Sequence, residues 1–392
     1  MSDSVIDSVE LFHVVLPPRR EHKWTGATEP IGGYLLVKLI AHDGSCGWGE
    51  CTALKDWAGE FGRYFGESVF IARTVIETYL APAIHGVQAS NIVEIHARMD
   101  RAVKGYPYAK AAIDMAAYDL AATQLGVPVH TLLGGAIRTR IPITHSIGFI
   151  PIEEAEKEAG KVVEEGIRTL KIKVGVDAER DVAVVKRVRQ AVGASTDICI
   201  DANQGYATPG EAIRTFRLME SCRIKYFEQP VHGIDRVAEV ARAIDAPVMA
   251  DESAWNAHDV IEIAEKRAAQ IVSIYTTKPG GLYRAMQVAA VCSAAGIVCN
   301  VNGSIETGVG NLANIQLAAA AEPVTLSCVI PVSTPAQAQR GQLAGIYYKD
   351  DLLAEPMVLR EGALTLPSGP GMGMRLDDEK IQRFTVSKWP DA

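Results

Sequence analysis

Two lysines and three acids fall where apolar runs of the chain end. In the stretch TLKIKVG (169–175), Leu170, Ile172 and Val174 alternate with Lys171 and Lys173. Alternate side chains of an extended chain share a face, so both ammonium groups project from the side opposite the apolar trio. Asp201 closes DICID, Glu228 closes KYFE, and Asp251 follows PVMA. Carboxylates that converge on one place repel one another and require a cation. No histidine or cysteine lies in phase with them, so the donors are all oxygen. That selects a hard ion that leaves room for water and substrate: Mg²⁺ rather than Zn²⁺, with Mn²⁺ as a substitute. Three carboxylates, two lysines and a divalent ion leave one net positive charge, which suits an anionic substrate. A carboxylate bound to such an ion has its doubly charged, enolised form stabilised, which removes the main obstacle to taking a proton from the adjacent carbon. A lysine beside another lysine has its neutral form favoured, which suits Lys173 to the role of base near neutral pH.

These residues sit in a repeating rhythm. Apolar runs begin near residues 143, 169, 197, 225, 247, 271, 297 and 324, each 22 to 28 residues after the last, with helical patterns such as AERDVAVVKRVRQAVG between them. Eight strand–helix units are the count that closes a TIM-type α/β barrel, whose functional residues collect at the carboxyl ends of the strands. A doubly wound open sheet would carry GxGxxG after its first strand, and none is present there. Before the barrel, SVELFHVVLP, GYLLVKLIAHDG and SCGWGE read as an antiparallel meander with a turn at Asp43-Gly44. Helical patterns follow near 60–80, 91–104 and 108–125, which makes the first 135 residues an α+β unit.

Bulk properties exclude several classes. The 392 residues carry a net charge of −8, so an electrostatic footprint for nucleic acid is missing. No run of 18 apolar residues spans a membrane, and MSDSVIDSVELF has no signal-peptide pattern. The 7 cysteines form no CxxC pair and sit mostly in apolar segments, as expected of reduced packing residues in a cytoplasmic protein.

The ordered set GWGE (47–50), AKAAIDMAAYDL, LLGG (132–135), KIK, IDANQGY, YFEQP, ADES, KPGG, NGSIETGVG and PSGPGMGM spans essentially the whole chain. It resembles the enolase superfamily, and within it the muconate lactonizing enzyme subgroup of the mandelate racemase/muconate lactonizing enzyme family. The resemblance implies a (β/α)7β modified TIM barrel (136–355) with an α+β capping domain built from residues 1–135 and the returning segment 356–392. It implies Mg²⁺ on Asp201, Glu228 and Asp251, with Lys173 as acid/base and Lys171 assisting; lysine bases with Mg²⁺ are the general pattern of that superfamily. It also implies a small-molecule carboxylate substrate and a homo-oligomer. Relatives of the mandelate racemase and glucarate dehydratase kind use a histidine from the seventh strand. NVNGSIE has none, which excludes that branch.

Two departures bear on the reaction. Many relatives carry a second catalytic lysine where SIYTTKPGG places Tyr275, while Lys278 keeps a later lysine position. A phenol is a serviceable acid and a poor base at pH 7, which counts against racemisation by two lysines. Cycloisomerisation, epimerisation with Tyr275 as opposite-face donor, and syn dehydration stay open, as does a Tyr275 that merely fills space. The eighth segment, LSCVIPVST, lacks the acidic pair with which dipeptide epimerases hold an ammonium, so a free dipeptide is disfavoured. His22, Lys23, Trp24 and Trp57 in two capping loops are candidates for specificity. Asn203, Glu252 and Glu306 are expected beside the metal, the lysines or the substrate. His145 is open between lining the site and a hydrogen-bonded place in the core. The leading expectation is α-proton abstraction from a carboxylate leading to isomerisation, with syn dehydration second. A Schiff-base lyase and a non-catalytic binding barrel are the remoter alternatives.

Overall fold

A computed structural model describes residues 5–19, 33–303, 305–333 and 341–390. Seven parallel strands form one curled sheet in sequence order: Thr144–Ile147, Thr169–Lys173, Asp197–Asp201, Ile224–Glu228, Val248–Ala250, Ile271–Ile274 and Val298–Val301. Helices such as Ala178–Val192 and Gly308–Ala320 follow the strands and cover the outside, as the strand-to-strand spacing predicts. Several begin at side-chain caps. Asp177 accepts from the Arg180 N–H and Thr208 from the Glu211 N–H, and Asn256 forms a reciprocal capping box with Asp259.

The expected eighth strand differs from a continuous ladder. Residues 324–329 make single bridges to both sides: Val324 to Cys299, Val329 to Asn302, and Cys328 to Ile143. The Cys328 N–H donates to the Pro142 carbonyl at 2.8 Å and the Val329 N–H to the Val301 carbonyl at 3.0 Å. Its backbone groups alternate between the seventh strand and the first, so the segment closes the barrel without a sustained pairing to either.

Beside the barrel lies a four-stranded antiparallel sheet in the order Thr385–Trp389, Ile6–Val15, Gly33–Ala41, Cys46–Cys51. The returning C-terminal segment thus supplies an edge strand to the N-terminal meander. The helical pattern near 60–80 begins only at Val69, where the Ser68 side chain caps the helix by accepting from the Ile71 N–H; a short turn at Glu60–Gly62, with Phe61 left-handed (φ 40), stands apart before it. Helix Pro107–Leu125 is buried on nearly every face between this sheet and the barrel. It lies so close to the GWGE strand that a Cβ on Gly49 would come within 1.9 Å of the Ala112 carbonyl oxygen. Glycine on the strand and alanine on the helix are therefore a matched pair.

The seam between cap and barrel is built on carboxylates. Glu50 accepts from the N–H groups of Thr307 and Gly310, the latter at 2.9 Å, at the start of helix Gly308–Ala320. Asp114 accepts from the Leu282 N–H at 2.5 Å, at the start of Leu282–Ala294. Glu60 accepts from the Ile234 N–H at 3.1 Å, at the start of Ile234–Ala243. Helix N-termini offer unpaired N–H groups and a positive dipole end, which these acids satisfy. The cap is thereby placed over the barrel mouth.

Candidate active site

Register brings the strand-end residues together. Lys173 pairs with Asp201 and Asp201 with Glu228 across three adjacent strands, and Asp251 follows the next strand. The interior face of each strand carries the charged residues, as period-two alternation requires. Asp201, Glu228, Asp251, Lys171 and Lys173 are all buried. Lys173 Nζ lies 2.6 Å from Asp201 Oδ2 and donates to Asn203 Oδ1 at 2.6 Å. Lys171 Nζ lies 3.1 Å from both Asp201 Oδ2 and Glu228 Oε1. The expected set therefore forms one cluster.

Tyr275 and Lys278 reach the same cluster. The Tyr275 hydroxyl donates to Asp251 Oδ2 at 3.4 Å, and Lys278 Nζ donates to Asp251 Oδ1 at 2.8 Å. Lys278 also donates to the carbonyls of Asp251 and Ser273, each at 2.9 Å, which uses all three of its protons. Its ammonium stands 4.3 Å from the Tyr275 ring centre. Trp57 stacks on Trp255 and packs against Tyr275, each with ring centres 5.3 Å apart. Glu252 Oε1 accepts from the Trp57 indole at 3.3 Å and the Asn203 amide at 2.9 Å, while its Oε2 is buried with no partner among the described residues. Glu306 is buried beside Gly303, whose Cβ would meet its Oε2 at 2.5 Å. His22, Lys23 and Trp24 lie outside the described residues.

Charges in this low-dielectric place act strongly on one another. Burial pushes the Asp201 carboxyl up, but the Lys173 and Lys171 ammoniums outweigh it and hold the group at about 2. Burial and then the Asp201 charge push Glu228 up to about 8. Burial followed by the Asp251 and Asp201 charges does the same to Glu252, also to about 8. Burial opposes the charge on Lys171, yet Glu228 and Asp201 prevail and keep its ammonium above the ordinary lysine range. Burial and the charge of Asp251 push the Tyr275 phenol well above its usual value, so it keeps its proton.

Among the described residues, no three metal-ligating side chains stand together as an ion site. Lysine ammoniums hold the oxygens instead. The donor set still fits a hard divalent ion, because Asp201 Oδ2 and Glu228 Oε1 already converge on one cation, Lys171 Nζ, at equal distances of 3.1 Å. Among the described residues, four buried acids, Asp201, Glu228, Asp251 and Glu252, also face three lysines. An added cation would lower the cost of ionising Glu228 and Glu252.

Several contributors are not apparent from strand ends alone. Asn302 donates to Glu228 Oε1 at 3.0 Å. Gln229 braces two strand ends: its Oε1 accepts from the Asp251 and Ser253 N–H groups at 2.9 and 3.1 Å. Its left-handed φ of 34 places backbone strain directly after Glu228, as the φ of 43 at Asn203 does two residues after Asp201. Leu54, Ser146, Val329 and Tyr347 complete the pocket wall with Trp57 and Tyr275. The Q of YFEQP and the N of NGSIETGVG are local signals for Gln229 and Asn302; nothing local marks Tyr347.

Comparison with known proteins gives a consistent picture. A family model described as "Enolase C-terminal domain-like" matches residues 154–380, and one for the mandelate racemase / muconate lactonizing enzyme N-terminal domain matches residues 8–134. Muconate cycloisomerase 1 of Rhodococcus opacus is 33% identical over 390 residues, covering 98% of this chain and 100% of that protein. The crystal structure of N-succinyl Arg/Lys racemase from Bacillus cereus superposes with a TM-score of 0.89 at 28% identity, covering 98% of this chain and 99% of the other. A dipeptide epimerase from Enterococcus faecalis, solved with Mg and a dipeptide, superposes with a TM-score of 0.84 at 28% identity, covering 94% and 99%.

Proposed function

We propose, from the premise that this chain belongs to the mandelate racemase/muconate lactonizing enzyme family of the enolase superfamily and is an isomerase, that it moves the α-proton of a small carboxylate with Lys173 as its acid/base. The observation that carries this reading is the Lys173 ammonium, 2.6 Å from Asp201 and from Asn203, at the wall of a pocket that holds three strand-end acids. Asp201, Glu228 and Asp251 would hold Mg²⁺, for which Mn²⁺ can substitute. When bound, the ion supplies positive charge to the substrate carboxylate as its α-carbon gives up a proton, which acidifies that carbon.

This chain's own groups do the rest. Lys171 stays charged between Asp201 and Glu228, 3.1 Å from each, and adds positive charge on the side of the pocket that would receive an anionic substrate. Asn203 accepts from Lys173 and orients its nitrogen, while its amide ties Glu252 to the same assembly. Lys278 fixes one oxygen of Asp251 and leaves the other toward the pocket. Leu54, Trp57 and Tyr347 exclude water, with His22, Lys23 and Trp24 as further specificity residues. Glu306 supports the substrate side. The cap, residues 1–135 with 356–392, closes the barrel of 136–355.

Tyr275 decides between outcomes. A buried phenol that keeps its proton cannot take one, so proton abstraction runs on the Lys173 face, which favours a cycloisomerase-type reaction that needs one base over racemisation by two. A same-face dehydration is the second reading, favoured by the same protonated phenol. The 7 cysteines are free, which supports a reducing, cytoplasmic setting. Phe61 and Phe65, 76% and 69% exposed, supply apolar surface that a homo-oligomer would cover.

The test is exchange of α-hydrogen for deuterium with Mg²⁺ in D₂O, over muconolactone, N-acylated amino acids and sugar acids. We expect exchange with the native enzyme and roughly a hundredfold or greater loss of it with Lys173→Ala. Unaltered exchange in Lys173→Ala, or activity indifferent to a chelator, would sink the reading.

A further inference from the structure

His145 sits on the first barrel strand with 1% exposure, next to Ser146, which lines the pocket. Alternation therefore turns His145 to the outside of the strand, away from substrate. There its Nδ1 accepts the Gly345 N–H at 3.1 Å. A backbone N–H can only donate, so the ring proton lies on Nε2, which donates to Glu158 Oε1 at 2.8 Å.

Gly345 belongs to a run of captured backbone groups. The Leu343 and Ala344 N–H groups donate to Glu165 Oε2 at 2.9 and 2.7 Å. Three consecutive N–H groups are thus held by side chains of the first strand–helix unit. On the far side, the Arg19 N–H donates to the Tyr347 carbonyl at 2.7 Å and Arg19 Nε to the Ile346 carbonyl at 2.9 Å. Arg19 itself stands 4.0 Å from Glu158. Glu158 therefore links both anchors of a segment whose Tyr347 forms pocket wall.

We propose that His145 is a positioning residue for the substrate pocket: as the Nε2–H tautomer it latches Gly345 to Glu158 and thereby sets Tyr347, without touching substrate. Its effect on ligand rests on the carboxylate reading of the pocket; the latch does not. His145 and Glu165 bond to none of the acids of the mouth among the described residues; Tyr347 is where the network meets their pocket.

Two substitutions separate the two bonds of the ring. His145→Asn puts an amide oxygen near the place of Nδ1 and keeps the acceptor for Gly345. His145→Gln reaches the place of Nε2 and keeps the donor to Glu158. Hydrogen–deuterium exchange of the peptide 341–350, in the full chain without ligand, should be roughly five- to tenfold faster in His145→Gln and near native in His145→Asn. With Mg²⁺ and muconate as the probe, calorimetry should show roughly tenfold weaker binding for the glutamine variant alone. Matched melting temperatures of the two variants would separate positioning from general stability. Equal backbone exchange in both variants overturns the proposal, as does a difference in exchange with no difference in affinity. Failure of the native enzyme to bind muconate, with the exchange pattern intact, counts against the carboxylate reading and leaves the latch standing.

Discussion

The cap–barrel seam and the barrel mouth both bury carboxylates, and they use them in opposite ways. At the seam, Glu50, Glu60 and Asp114 each meet the N–H groups of a different helix N-terminus. At the mouth, Asp201, Glu228, Asp251 and Glu252 meet one another and the ammoniums of Lys171, Lys173 and Lys278. Burial raises Glu50 as it raises Glu228, so a displaced pKa does not separate the regions. Partners do. Fixed backbone dipoles, helped by the Thr52, Thr307, His96 and Ser253 side chains, tie the seam acids in place, whereas side-chain ammoniums can yield to another cation or a substrate.

The largest effect expected is at the mouth. Lys173→Ala should lower α-hydrogen exchange by roughly a hundred- to ten-thousandfold, the range for a positioned acid/base, with the cap still seated. Glu50→Ala should do the reverse: a loss of roughly 3 to 5 kcal/mol in unfolding free energy, from stranding the Thr307 and Gly310 N–H groups, with the exchange rate per folded molecule near native. Chemical denaturation of both variants alongside exchange rates would check the contrast. A Glu50→Ala enzyme that is stable but inert would abolish the division between the regions.

A smaller effect concerns pH, and a fourth cap acid tests it. Glu67 accepts from the N–H groups of Tyr108 and Ala109 at 2.9 and 3.1 Å, and burial nevertheless pushes it up to about 7. Its folded pKa lies above its unfolded value near 4.5, so the protonated form is the one folding prefers. Its contribution is complete below about pH 4.5 and is lost as pH rises through 7, on the order of 3 kcal/mol. The stability gap between native protein and Glu67→Gln should therefore change between pH 5 and 8 in the direction of a relatively weaker native protein at pH 8. A gap independent of pH would show that Glu67 stays ionised throughout.

Legibility followed the same division. Lys171, Lys173, Asp201, Glu228 and Asp251 could be read because a strand alternates with period two and each residue ends a run, so local pattern alone sets face and height. The strand spacing likewise carried the barrel. Partners set by closure of the chain could not be read: Asn302 reaches Glu228 across 74 positions and Gly345 reaches His145 across 200. The eighth segment has a strand's composition, yet its backbone is divided between two neighbours, which no periodicity records. The expected neutral preference of adjacent lysines was incomplete for the same reason. Acids distant in sequence surround Lys171 and reverse its shift.

Tyr275 carries the smallest predicted effect and the sharpest distinction. Its hydroxyl makes one long contact, 3.4 Å to Asp251, and Lys278 already holds the other oxygen of that acid at 2.8 Å. Tyr275→Phe should therefore cost no more than about tenfold in α-hydrogen exchange, the worth of one modest hydrogen bond. The ring would still pack against Trp57 and beneath the Lys278 ammonium, so the wall is kept. A loss of a hundredfold or more would instead make the phenol a proton donor from the second face. The stereochemistry of deuterium in recovered substrate supplies the independent check: one configuration if Lys173 acts alone, both if Tyr275 shares the transfer. Mixed configuration in the native enzyme that becomes single in Tyr275→Phe would move this site from one-face to two-face chemistry.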